Sequence, residues 1–271
     1  MVDEFAMFGS RPQFVEKLII SCSEPASNRI VDAENAGNAI MLSSPGASVA
    51  SNRMKQAVIN LLNDNPIRQI ILISHTDCLA SEPVYQAIHS GKSIDAQTYS
   101  LFAEPFKANH ITFGDKKHLE TDASPKLQSL LLGKIITEWQ AEQGESARNV
   151  SRVIKIIGHS NAEESKERVR STLLALNPSR WHYEHLLGEV SELLGRNLSM
   201  DSTYVLQPPD VASIKFIMRE SGLKDVVLYS AGHEDAAEMK KLLRDLSKED
   251  FIQNSNVRLY LMNRSVRIAR G

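Results

Sequence analysis

Short aliphatic runs alternate along this chain with segments whose apolar residues recur at helical spacing, and that alternation constrains the fold most. Lys17 to Cys22 (KLIISC) and Gln69 to Ser74 (QIILIS) are apolar at nearly every position, as strands covered on both faces are. Further strands are expected at Arg152 to Ile157 (RVIKII), Thr203 to Leu206, Asp225 to Tyr229 and Val257 to Met262, with a shorter one at Ile30 to Glu34. Between them, Ser48 to Asn65 carries Val49, Val58, Leu61 and Leu62 at roughly helical spacing, and Pro66 closes it. Helices are also expected near Glu82 to Ser90, Glu163 to Leu176, Trp181 to Leu194, Val211 to Ser221 and Glu234 to Leu246. Leu127, Leu130, Leu131, Ile135 and Trp139 share one helix face, with Ser124 as N-cap and Pro125 as first residue. Residues 91 to 123 are polar and irregular, and little can be placed there. The pattern gives an α/β fold with a central, mainly parallel sheet flanked by helices.

A chain of 271 residues can form one large α/β domain or two small ones. The polar stretch AEQGESARNVS, just ahead of RVIKII, is the candidate boundary, dividing residues 1–148 from 149–271. The net charge of −2, with no basic or acidic block, gives no reason to expect nucleic acid or a membrane surface as partner. No stretch reaches the roughly 18 apolar residues that span a bilayer. The opening MVDEFAMFGSRPQF lacks the apolar run of a signal peptide. A soluble protein is expected, with the cytoplasm as its location.

Cys22 and Cys78 are the only cysteines, too few for a disulfide scaffold, although one bridge between them stays open at this point. Their positions matter more than their number. KLIIS delivers Cys22 and QIILIS delivers His75, with Cys78 three residues later. In open parallel sheets, sites form beyond the carboxyl ends of strands, where neighbouring loops converge. Two thiolates and an imidazole are a soft to borderline set suited to Zn²⁺, and H-x-x-C lets two ligands leave one turn toward one ion. The competing reading is two buried, inert core thiols.

SCSEP, ENAGN and ISHTDCLA, in that order, resemble the three motifs of the β-class carbonic anhydrases, C-x-D-x-R, R-N-A-G-N and G-H-x-x-C-G. The match covers residues 14 to 90. The resemblance implies a β-carbonic-anhydrase-like fold and Zn²⁺ held by Cys22, His75 and Cys78. It also implies a dimeric assembly and reversible hydration of CO₂ to bicarbonate, in which metal-activated water attacks the substrate or a related small electrophile. Asn35, Ala36, Gly37 and Asn38 would then follow the second strand and shape the pocket wall.

The pattern breaks around the reacting position. Glu24 stands where the family has the Asp that orients the activated water, and Ala26 where it has the Arg that holds this carboxylate off the metal. Glu24 is therefore the catalytic candidate on the resemblance, but also a competent fourth ligand that would displace the water. Glu34 replaces the Arg of R-N-A-G-N, and Leu79 replaces a Gly that permits close backbone approach. Arg29 is a candidate substitute for the missing cation. Two functions follow: a zinc hydratase, or a silent member whose structural zinc is closed by Glu24 and whose fold serves assembly or interaction.

The second half is a candidate faded copy of the first, which would make an internal pseudo-dimer in place of a two-chain dimer. RVIKIIGHSN laid over KLIISCSE sets His159 opposite Cys22. Laying residues 214–236 over 54–78 sets His233 opposite His75 and Ala236 opposite Cys78. His182 and His185 could share a helix face but have no third ligand nearby, and Lys166, Arg168 and Arg170 read as a salt-bridged helix face. Walker A, G-x-G-x-x-G and G-x-S-x-G patterns do not occur.

Overall fold

The computed structural model describes residues 15–35, 39–91, 94–157, 171–177, 183–230, 233–252, 255–261 and 264–267. Among them the parallel strands divide over two sheets. The first is ordered β2-β1-β3-β4, from β1 (Lys17–Cys22), β2 (Ala39–Ser44), β3 (Gln69–His75) and β4 (Ser151–Ile157), all parallel. The second contains β5 (Thr172–Leu176), β6 (Thr203–Leu206), β7 (Asp225–Ser230) and β8 (Asn256–Leu261), parallel in the order β6-β5-β7-β8. An antiparallel strand β9 (Arg264–Arg267) closes its β8 edge. The protein is thus α/β with parallel sheets flanked by helices, in two sheets where a single central one was expected.

The second sheet repeats the first in strand order, direction and register. Lys17, Ala39, Gln69 and Ser151 lie level across the first, as Thr172, Thr203, Asp225 and Asn256 do across the second. Helices α1 (Pro25–Asn35) and α2 (Asn52–Asp64) connect β1 to β2 and β2 to β3, as α8 (Tyr183–Leu194) and α9 (Val211–Ser221) do in the second half. The two sheets meet at their equivalent edge strands. Ser43 of β2 and Gln207, one residue past β6, form an antiparallel bridge with reciprocal bonds, Ser43 N–H to Gln207 O at 2.7 Å and Gln207 N–H to Ser43 O at 2.8 Å. Counted along their strands, these two residues are themselves equivalent, so the bridge sits where a two-fold axis relating the halves would pass.

Alternation along each strand divides the core. Leu18, Ile20, Ile40, Leu42, Ile70 and Leu72 face α2 and α7 (Ser124–Gln143). Ile19, Met41, Ile71 and Ile73 face the other way and join Leu174, Leu176, Leu187 and Val227 of the second half in one cluster. Trp139 of α7 is buried, its indole N–H donating to Asn63 Oδ1 at 2.8 Å, and the Arg148 guanidinium lies 4.9 Å from its ring centroid. Emptying so large a core position costs about 3–5 kcal/mol in typical domains, so α7 is fastened firmly to the first sheet.

Several expectations need correction. Residues 30–34 are helical, inside α1, and the second strand is the wholly buried run AIMLSS at Ala39–Ser44. TLLAL at Thr172–Leu176 is a central strand where a helix was expected. RVIKII is β4, the outer strand of the first sheet, so a division between residues 148 and 149 would part it from the sheet it completes. That leaves β5 as the counterpart of β1. Ser124 does not cap α7, because a π turn (Leu119–Ala123) runs straight into the helix. Residues 95–123 are also far from irregular. They hold α4 (Ala96–Thr98), a π turn (Tyr99–Ala103), α5 (Glu104–Ala108) and α6 (Lys116–His118). Ala36 to Asn38, His159, His182 and the Lys166, Arg168, Arg170 cluster lie outside the described residues.

Candidate metal centre

Cys22 is the last residue of β1 and His75 the last of β3, and these strands are adjacent and parallel. Both residues therefore emerge at the same end of the sheet, in the crevice beyond the carboxyl ends. The turn after β3 brings Cys78 back to them. Asp77 takes a left-handed conformation (φ 56°), which Asp tolerates better than most residues, and this reverses the chain between His75 and Cys78. On the other side, Pro25 opens α1 and leaves Glu24 just ahead of the helix. Ser23 between Cys22 and Glu24 is fixed by two main-chain bonds, its N–H to Ser44 O at 3.0 Å and its carbonyl from Val205 N–H at 2.9 Å. Strand β6 of the second half thus steadies the ligand-bearing loop of the first.

The four side chains converge. The sulfurs of Cys22 and Cys78 are 3.6 Å apart, Cys22 Sγ is 3.5 Å from Glu24 Oε1, and His75 Nε2 is 3.7 Å from the same oxygen. All four ligand atoms lie within 4.8 Å of one another. His75 Nδ1 is 2.8 Å from the carbonyl of Thr76, a contact that orients the ring and leaves Nε2 facing the cluster. Leu79 N–H donates to Glu24 Oε1 at 2.6 Å. Leu79 therefore pins the carboxylate through its backbone. The His75 and Glu24 side chains are only 1% and 13% exposed.

Crowding these groups shifts their titration in the metal-free protein. Burial, then the Cys22 charge, pushes Glu24 up to about 8. Burial opposes the charged form of His75, but the Cys22 thiolate, hydrogen bonding to it and the Glu24 charge together raise it to about 10. Burial acts against ionising Cys22 as well, yet its bond from Cys78 and the charge of His75 hold it well below the usual thiol range. Cys78, bonded to Cys22 and then buried, is pushed well above that range. One sulfur is ready to bind, and the other three groups carry protons that a cation would displace.

Cys22, His75 and Cys78 thus come together as expected, with Glu24 beside them. The remaining expectations fare differently. Arg29 forms a two-pronged pair with Asp201, at 2.8 and 2.7 Å, across to the second half. Glu34 is paired with Lys155 of β4. In the register of the two sheets, Cys22 at the end of β1 corresponds to Asn177 after β5. Residues 231–232, which follow β7 where His75 ends β3, lie outside the described residues.

Sequence reasoning missed the cavity against His75 and Cys78, which measures about 420 Å³ counted to its solvent-filled mouth. Phe102, Phe106 and Glu120 wall it from the segment between residues 95 and 123. The turn signals were present there. Asp95 accepts from Thr98 N–H at 2.9 Å and Asp115 from His118 N–H at 2.7 Å, both standard N-caps. Gly46, across the cavity, has φ 64°, and a Cβ there would lie 3.2 Å from that of Ala80.

Fold and site together define an α/β protein with a buried Cys-Glu-His-Cys group close enough to hold a metal ion. Neither a protein-family model nor a curated protein matches the chain. Among the described residues, no helix is long and apolar enough to cross a membrane.

Proposed function

We propose that Cys22, Glu24, His75 and Cys78 hold one Zn²⁺ as a closed, four-ligand centre, related to the β-carbonic anhydrase site but with Glu24 in the water's place. The observation that carries this reading is the position of Glu24 Oε1. Tetrahedral zinc, with about 2.3 Å to sulfur and about 2.0 Å to nitrogen or oxygen, sets its ligand atoms apart by about 3.8 Å (S to S), 3.5 Å (S to O) and 3.3 Å (N to O). The corresponding separations here are 3.6, 3.5 and 3.7 Å. Two thiols, an imidazole and a carboxylate are also the donor types that zinc takes.

At an open position zinc would lower the pKa of a water toward neutrality, the chemistry CO₂ hydration requires. Glu24 fills that position, Leu79 N–H holds it there, and Arg29, the candidate restraint, is engaged with Asp201. The chain's residues therefore favour a structural zinc that ties β1 to the loop after β3. Hydratase activity is the second reading, favoured by the cavity that reaches His75 and Cys78.

Glu24→Ala separates the two. Zinc should stay bound through the three remaining ligands. Stopped-flow CO₂ hydration should rise from near background by about tenfold or more once the position opens. Rapid hydration by the unaltered protein would overturn the closed-site reading.

A further inference from the structure

We propose that Glu120 is a positioning residue of the metal centre, holding Cys78 and Glu24 in place through Ser81. The inference rests on the zinc reading above and adds to it a carboxylate that is not itself among the four ligands. Glu120 lies in the π turn Leu119–Ala123, within the segment that walls the cavity, and is only 5% exposed. Its Oε1 meets the hydroxyl of Ser81, which is buried as well. The part-exposed Lys116 ammonium, 4.0 Å from the same oxygen, answers its charge.

Ser81 links this carboxylate to the ligands. Its N–H and its hydroxyl both reach the carbonyl of Cys78, at 3.0 and 2.6 Å, and so close the turn from Cys78 to Ser81. Two residues of that turn serve the site: Cys78 brings its sulfur, and Leu79 the N–H that holds Glu24. A hydroxyl carries one proton and rotates to suit its surroundings, so alone it would not stay over the Cys78 carbonyl. Glu120 reaches in from a separate segment and fixes that oxygen between the two acceptors. Outer partners of this kind keep metal ligands in place, and losing one typically costs about 10–100-fold in metal affinity. If Glu120 served only to pair with Lys116 and pack its own segment, its removal would leave the metal undisturbed.

Glu120→Ala should therefore weaken zinc binding by about 10–100-fold, read by competition with a chelating dye. Ser81→Ala should do the same, and it carries the test should Glu120→Ala not fold. The double variant should lose no more than the larger single loss, because both act through one bond. Glu120→Gln, whose amide oxygen still accepts from Ser81, should keep most of the affinity. With cobalt(II) in place of zinc, the thiolate-to-cobalt absorption should change in Glu120→Ala and return in Glu120→Gln, which a loss of packing elsewhere would not produce. In the metal-free chain, hydrogen exchange at the Leu79 and Ser81 amides should quicken about tenfold or more in Glu120→Ala, with strand β7 unchanged. Parent-like affinity in folded variants, additive losses, or Leu79 and Ser81 amides that exchange no faster would overturn the proposal. A parent chain that takes up no zinc would instead sink the zinc reading, and the exchange comparison alone would then decide whether Glu120 holds the turn.

Discussion

Cys78→Ser will strip the purified protein of zinc. The two sulfurs stand 3.6 Å apart with His75 and Glu24 against them, so on the zinc reading losing one thiolate removes a ligand and not a distant support. Losing an outer partner of a metal ligand typically costs 10–100-fold in affinity, and a direct ligand should cost more than roughly that. Because the site ties the end of β1 to the turn after β3, the variant should also melt earlier, and it should no longer respond to a chelator that lowers the melting temperature of the parent. Metal analysis after dialysis and a thermal scan with and without chelator read both effects. A variant that keeps a full equivalent of zinc would remove Cys78 from the ligand set.

Zinc uptake by the metal-free protein at pH 7 will release close to three protons. Glu24, raised to about 8, and His75, raised to about 10, both hold a proton there, and Cys78 is raised as well. Cys22, held low, adds less. Each must be deprotonated to bind, so affinity should climb by up to about a thousandfold per pH unit near neutrality. The slope should ease as pH passes about 8 and again near 10. The sign for folding is opposite. Glu24 and His75 hold protons more tightly folded than unfolded, so their contribution is full below the unfolded values of 4.5 and 6.5. It is lost as pH rises through about 8 and about 10, with Cys22 partly offsetting the loss. Alkaline conditions thus weaken the metal-free protein while favouring the loaded one. Calorimetric titrations in buffers of different ionisation enthalpy count the protons, and a flat affinity between about pH 6.5 and 8 would contradict the assignment.

The site was legible because its signal is local: two apolar runs each end on a ligand, and H-x-x-C needs only one turn. What Glu24 does was half legible. The missing Arg at Ala26 could be read, but the clamp from Leu79 is a backbone group and leaves no mark on residue identity. The second strand was misplaced because Ile30 and Val31 imitate a strand, while Ala39–Ser44 is buried at every position and so shows no alternation. Leu and Ala in TLLAL favour helices in isolation, but central placement in the second sheet overrides that preference. The cavity wall escaped because the segment is cut into π turns and helices of three to five residues, such as Tyr99–Ala103 and Leu119–Ala123, too short to show a periodic apolar pattern. RVIKII, laid over the first strand, is the fourth strand of the first sheet.

Unsatisfied sheet rims are sticky, since exposed amides and carbonyls invite another chain to add itself. Here the β2 edge and the residue just past β6 meet at one point, where Ser43 and Gln207 exchange two main-chain bonds. One polypeptide supplies both sides of that bridge. Sedimentation equilibrium should return the mass of a single chain, 30.2 kDa, and a concentration-independent doubling of that mass would show that the molecule still seeks a companion.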